Sequence, residues 1–167
     1  HGGFEQLKGK RVGLITNPSG VDNNLVSTID ILANAPGVKL TALYSPEHGV
    51  RGDIAAGEKV DTYTDSKTGV TVYSLYGKNK KPSAEMLKDV DVLVYDIQDN
   101  GCRSFTFIST MGLCMEACAE NGKEFMVLDR PNPLSGLKVE GNLVEEGFFS
   151  LVSQFKIPYL YGLTPGE

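Results

Sequence analysis

The run Ser45-Pro46-Glu47-His48-Gly49-Val50-Arg51-Gly52-Asp53 places two carboxylates, an imidazole and a guanidinium within seven residues. It follows Val38-Lys39-Leu40-Thr41-Ala42-Leu43-Tyr44, which reads as a β-strand. Open α/β sheets bind ligands just beyond the carboxyl ends of their strands. A segment built only to reverse the chain needs Gly, Pro and Asn, not this density of ionisable groups. The alternative is a solvated turn with a surface salt bridge. Three other apolar runs end in the same way. Thr16 and Asn17 follow the first; Asp96, Gln98, Asp99 and Arg103 follow the third; Asp129, Arg130 and Asn132 follow the fourth. In a parallel sheet all these ends lie on one edge, so a single rim collects carboxylates, arginines, amides and a histidine.

The chemistry is narrowed by what is missing. No G-x-G-x-x-G follows the first strand, and Gly49-Val50-Arg51-Gly52 lacks the Gly-Lys-Ser/Thr ending of a phosphate loop. No nucleotide cofactor is expected. There is no G-x-S-x-G elbow for an esterase-type serine. His48 is the one internal histidine, which excludes a His-rich metal site; a hard-cation site of Asp96, Asp99 and Asp129 stays open but unforced. Carboxylates without these companions suit glycosyl transfer. One carboxylic acid protonates the leaving oxygen, and a second carboxylate attacks or activates water. Glu47 is the candidate acid, since burial behind Pro46 would raise its pKa while Arg51 would oppose this. His48 would act as general base or orient Glu47.

Four strands and their connecting helices must position this rim. Strands are expected at 11–16, 38–44, 90–97 and 125–128, the third so continuously apolar that both its faces must be covered. Helical spacing of Leu25, Ile29 and Leu32 predicts a helix over 24–34, ended by Pro36-Gly37. Ser83 reads as the N-cap of a short helix that turns Met86 and Leu87 inward. A long helix is expected over 104–120, with Phe105, Ile108, Met111, Met115 and Cys118 near one face and Asn121-Gly122 closing it. Weak alternation on either side of Asp65-Ser66-Lys67-Thr68-Gly69 predicts a β-hairpin excursion over 58–76. From Leu134 onward the chain reads as irregular. The β-α-β rhythm gives an α/β class: a Rossmann-like three-layer fold with a mainly parallel sheet and right-handed crossovers.

Composition agrees with a single packed domain of 167 residues, 41% hydrophobic and 22% charged. A net charge of −5, from 16 basic and 21 acidic residues, speaks against nucleic acid as a partner. No apolar run approaches the ~20 residues of a membrane span. Cys102, Cys114 and Cys118 are an odd set, best read as buried core thiols. The chain opens at His1 without Met or a signal peptide and stops within the motif-like run 161–167, so it reads as a piece of a longer protein.

Four ordered blocks carry a resemblance. Gly13-Leu14-Ile15-Thr16-Asn17-Pro18-Ser19-Gly20-Val21-Asp22, Ser45 through Gly52, Tyr95-Asp96-Ile97-Gln98-Asp99-Asn100-Gly101-Cys102-Arg103 and Leu128-Asp129-Arg130-Pro131-Asn132-Pro133 are similar to the signatures of the bacterial exo-β-N-acetylmuramidases, long catalogued as a domain of unknown function and named YbbC-like. The resemblance implies an enzyme that removes terminal β-1,4-linked N-acetylmuramic acid from the non-reducing end of peptidoglycan fragments, outside the cytoplasm, in the periplasm or secreted. It implies that residues 1–167 are a Rossmann-like N-terminal domain, and that the protein's own C-terminal domain, absent here, completes the cleft. The candidate catalytic set is then Glu47, His48 and Asp96. Asn17, Arg51, Gln98, Asp99, Arg103, Arg130 and Asn132 would bind the glycan, with Arg103 or Arg130 meeting the lactyl carboxylate of muramic acid. Family members carry His-Gly where this chain has Tyr161-Gly162. Two other readings compete: a non-catalytic peptidoglycan- or carbohydrate-binding domain, and a flavodoxin-like nucleotide- or phosphate-binding domain.

Overall fold

A computed structural model of the protein describes residues 3–52, 54–55 and 61–167. Six strands form one sheet: β1 (Arg11–Thr16), β2 (Lys39–Ser45), β3 (Tyr63–Thr64), β4 (Thr71–Ser74), β5 (Val92–Asp96) and β6 (Glu124–Val127). Their order is β3-β4-β2-β1-β5-β6, parallel except for the β3–β4 hairpin. The hairpin excursion is present between Tyr63 and Ser74; residues 58–60 of its expected span, like Asp53, lie outside the described residues.

The sheet is covered on both faces. Helix α1 (Thr28–Asn34) and a 3-10 turn at Glu5–Leu7 lie over one. There Leu7, Ile29 and Leu32 pack with Val12, Leu14, Leu43 and Val94. Helices α2 (Ala84–Leu87) and α3 (Thr106–Glu120) cover the other, where Leu87, Met111, Cys114 and Cys118 meet Ile15, Tyr44, Leu93 and Tyr95. All five β5 residues are buried, as a strand between two helical layers requires. Gly13 permits this density: a Cβ there would come within 2.9 Å of both Leu93 and Tyr44. Cys102, Cys114 and Cys118 are free, buried thiols, and burial pushes the Cys118 pKa up to about 11.

Two helical expectations need correction. The first helix begins at Thr28, not near 24, because Asp22 Oδ1 accepts from the amides of Asn24 and Val26 and holds them in a turn. Leu25 is left-handed (φ 61°) and exposed, and Ser27 provides the cap, accepting from Ile29 N at 3.2 Å. In α3, Phe105 is the N-cap position and Met115 faces solvent; the inward face instead carries Thr106, Ser109 and Thr110 beside Met111, Leu113 and Cys114. Residues 128–167 contain no helix or named strand and run past α3. Phe155 lies so close to Gly112 that a side chain there would overlap its ring.

Candidate active site

The carboxyl edge of the sheet is a web of bonded loops. Past β1, Asn17 Oδ1 accepts from Ser19 N (2.9 Å) and Ser19 Oγ (2.5 Å). Ser19 Oγ in turn accepts from Gln98 N at 2.9 Å, fastening the β1 loop to the β5 loop. Gln98 Nε2 donates to the Asp99 and Pro131 carbonyls (2.7 and 2.9 Å), reaching the β6 loop. Asn132 Nδ2 donates to Leu163 O at 2.9 Å, and Asp129 accepts from Thr164 Oγ1 (2.6 Å) and Gly166 N (2.9 Å). Gly20 must lack a side chain, since a Cβ would overlap the Thr16 hydroxyl, which donates to Asp96 O at 2.9 Å.

Asp96 lies at the centre of this web, 1% exposed. Thr28 Oγ1 donates to its Oδ2 at 2.5 Å, and Arg130 Nε donates to its Oδ1 at 2.8 Å. Arg130 also reaches Val21 O at 3.0 Å. Asp96, expected among the catalytic groups, is thus already paired inside the domain. Both of its oxygens are bonded inside the domain, and it holds Arg130. Arg51, expected to bind the glycan, is also paired inside the domain. Its guanidinium grips Asp65 Oδ1 (2.5 Å) and Asp30 Oδ1 (2.8 Å), joining the hairpin turn to α1. That bond, with the neighbouring charge, keeps the Asp65 carboxyl well below the usual range. Arg51 thus has two carboxylates of its own.

Glu47 is half-buried beyond β2 and lies near the phenol of Tyr76 beyond β4. The hydrogen bond and charge of Glu47 push the Tyr76 pKa up. Ser45 is in register with Ser74, so counting two residues along each parallel strand brings Glu47 and Tyr76 side by side. Sequence reading missed Tyr76; that register was the signal for it. His48 is exposed at φ 74°, a left-handed backbone that costs a non-glycine residue energy and is typical of functional turns. Gly52 closes on Pro18, where a Cβ would approach the ring to 2.8 Å, so the Glu47 loop abuts the β1 loop.

Asp99 is also 1% exposed; its Oδ1 accepts from Gly101 N (2.8 Å) and from the Tyr161 hydroxyl. Tyr161 was a second residue left without a role in the sequence; burial and this carboxylate push its pKa up. Arg103 donates to the carbonyls of Asn142 (2.7 Å) and Ile157 (2.6 Å) and lies 5.8 Å from the Tyr159 ring centroid. Its bonds are to neutral groups, whereas Arg130 is matched by Asp96. Among the described residues no set of three His, Cys, Asp or Glu side chains is grouped to hold a metal, and Asp96, Asp99 and Asp129 each have separate partners. No helix among the described residues is long and apolar enough to cross a membrane.

A doubly wound α/β domain whose strand-end loops are bonded into one rim belongs to the class that binds ligands at its carboxyl edge. Residues 12–167 match the family model of the exo-β-N-acetylmuramidase NamZ N-terminal domain, and the chain belongs to that family. It is 59% identical over 163 residues to the peptidoglycan β-N-acetylmuramidase NamZ of Bacillus subtilis (strain 168), covering 98% of this chain and 39% of that protein. Two crystal structures of DUF1343 family proteins from Bacteroides fragilis NCTC 9343 are also similar. BF0371 superposes with a TM-score of 0.92 at 71% identity, and BF0379 with 0.83 at 38%, each covering 98% of this chain and 41% of the other. The chain thus spans about two fifths of the length of the relatives it matches.

Proposed function

We propose that the protein bearing this domain is a glycoside hydrolase that removes terminal β-1,4-linked N-acetylmuramic acid from the non-reducing end of peptidoglycan fragments. A further domain of the same chain would complete the cleft. The carrying observation is Glu47: a half-buried carboxyl at the strand-end rim of a muramidase-family domain, near a neutral phenol and with no cation paired to it among the described residues. Glu47 gives its proton to the leaving glycosidic oxygen, and Tyr76 keeps the carboxyl aimed at it. His48, exposed next to it in the chain, would act as general base or orient Glu47. Asn17, Gln98, Asp99 and Asn132 present a rim already bonded into shape, which lowers the ordering cost of binding.

Arg103 is the proposed partner of the lactyl carboxylate. It keeps an uncompensated charge, while the charge of Arg130 is balanced by Asp96. Arg130 takes a supporting place against the sugar. Such a substrate lies in the periplasm or outside the cell, or among recycled wall fragments, and the protein would act there.

The test is chromophore release from an aryl β-N-acetylmuramide by the full-length protein, with the matching β-N-acetylglucosaminide as control. Muramide-selective release that falls by roughly 100- to 10,000-fold in Glu47→Gln supports the reading. No release from either sugar, with muropeptide binding retained in Glu47→Gln, would instead make it a binding protein. Arg103→Ala is expected to erode the preference for muramide over glucosaminide by about tenfold or more, the size of a lost charge-assisted bond. An unchanged preference in both Arg103→Ala and Arg130→Ala would end the lactyl assignment.

A further inference from the structure

The face of the sheet that carries α1 is incompletely covered. Beside α1, over β5 and β6, runs a groove of about 690 Å³ floored by Val94 and Met126 and walled by Ile31, Leu32 and Leu128. Its mouth is acidic, with Asp129 at the end of β6. Helix α3 covers the opposite face of these strands; on this face α1 and the 3-10 turn at Glu5–Leu7 wall the groove, Asp96 and Arg130 also line it, and no further helix among the described residues covers it.

The last four residues, Thr164-Pro165-Gly166-Glu167, have the geometry of a helix start at that mouth. Glu167 Oε2 accepts from Thr164 N at 2.8 Å, the reach-back of a capping box from the third helical position to the N-cap. Pro165 stands at the first helical position, where proline's missing N–H and fixed φ are favourable. Glu167 N donates to Thr164 O at 3.2 Å, closing the first turn. The Thr164 hydroxyl and Gly166 N donate to Asp129, which puts a carboxylate at the positive end of the helix dipole. Gly166 fits because a Cβ would come within 2.8 Å of Asp129 Cγ.

We propose that the residues following Glu167 form an α-helix that lies in this groove, antiparallel to β5 and β6, and completes the α1 layer. The relatives supply the length, since this chain covers 39% and 41% of theirs. The five residues of β5 extend about 16 Å, which an α-helix spans in about 11 residues. A helix leaving the carboxyl edge of a parallel strand must run back over a face, and the groove is the uncovered apolar face beside Asp129. This inference goes beyond the activity proposed above and does not depend on it.

The test uses the full-length protein with a diazirine amino acid in place of Met126. After irradiation, peptide mapping is expected to place intramolecular crosslinks within the first dozen or so residues after Glu167. Crosslinks to any other segment, to a second copy of the chain, or to solvent alone would overturn the proposal. Hydrogen exchange of the otherwise unaltered protein gives an independent reading. The stretch after Glu167 should be protected, and Glu167→Ala should speed exchange of its first turn about fivefold, as loss of an N-terminal cap does. Exchange as fast as an unstructured peptide would equally overturn it.

Discussion

Glu47 differs from the other strand-end carboxylates in what holds it. Asp96 is matched by Arg130 and Thr28, Asp99 by Tyr161 and Gly101, and Asp129 by Thr164 and Gly166. Glu47 lies instead near the Tyr76 phenol, whose pKa its carboxylate pushes up, so the phenol is neutral at neutral pH and able to donate to it. On the proposed role of Glu47, Tyr76→Phe is expected to lower kcat by about tenfold with a smaller change in KM, since it would loosen a reacting group rather than a binding one. Equal losses in kcat/KM caused by KM alone would place Tyr76 on the substrate instead. The strand-end position of Glu47 was legible from the residues. Its phenol was not, because Tyr76 is 29 positions away and becomes a neighbour through β2–β4 register. Asp96 looked free in the sequence for the same reason: Arg130 returns to it across 34 positions.

At the scale of elements, the Arg51 clamp ties α1 to the turn of the β3–β4 hairpin. Asp65 is 3% exposed, its two oxygens accept from Arg51, and Thr68 N and Oγ1 donate to Oδ2. Its carboxyl pKa is depressed in the folded state, so the unfolded chain takes up the proton first as the pH falls. The clamp's contribution is complete above the unfolded value of about 3.9 and is lost as the pH drops from there toward the lower folded value. Asp65→Asn should cost about 2–4 kcal/mol at pH 7 and flatten the fall in stability below about pH 4, measured by urea unfolding across pH. An unchanged acid limb would mean that other carboxylates govern it. Periodicity gave the strands almost residue for residue, because buried parallel strands are continuously apolar. It overran α1, where the Asp22 side chain diverts the backbone, and misjudged α3. There the buried face includes Ser109 and Thr110, small polar residues that apolar spacing overlooks; Thr110 Oγ1 donates to its own helix, to Thr106 O at 3.1 Å.

For the whole molecule, the irregular segment 128–167 is fastened to the rest of the domain at a few points, among them the close seat of Phe155 on Gly112 of α3. Gly→Ala inside a helix ordinarily stabilises by about 0.5–1 kcal/mol. At position 112 the new methyl would overlap the Phe155 ring, and overpacking costs about 1–3 kcal/mol. Gly112→Ala should therefore lower Tm, and Gly112→Ala with Phe155→Leu should recover part of the loss; a rise in Tm for the single variant would mean that the seat yields freely. The sheet order has a consequence for synthesis. β1 is central, flanked by β2 and β5, and Val12 is in register with Leu40 on one side and Val92 on the other. On the ribosome the first edge of β1 is closed after some thirty more residues have emerged, whereas its second edge must wait for about eighty. Over that interval the nascent chain presents an unpaired apolar strand edge, the kind of surface that invites mispairing or chaperone capture. The central strand is thus closed on both sides only once β5 arrives, and any pause in translation before residue 96 lengthens the exposure.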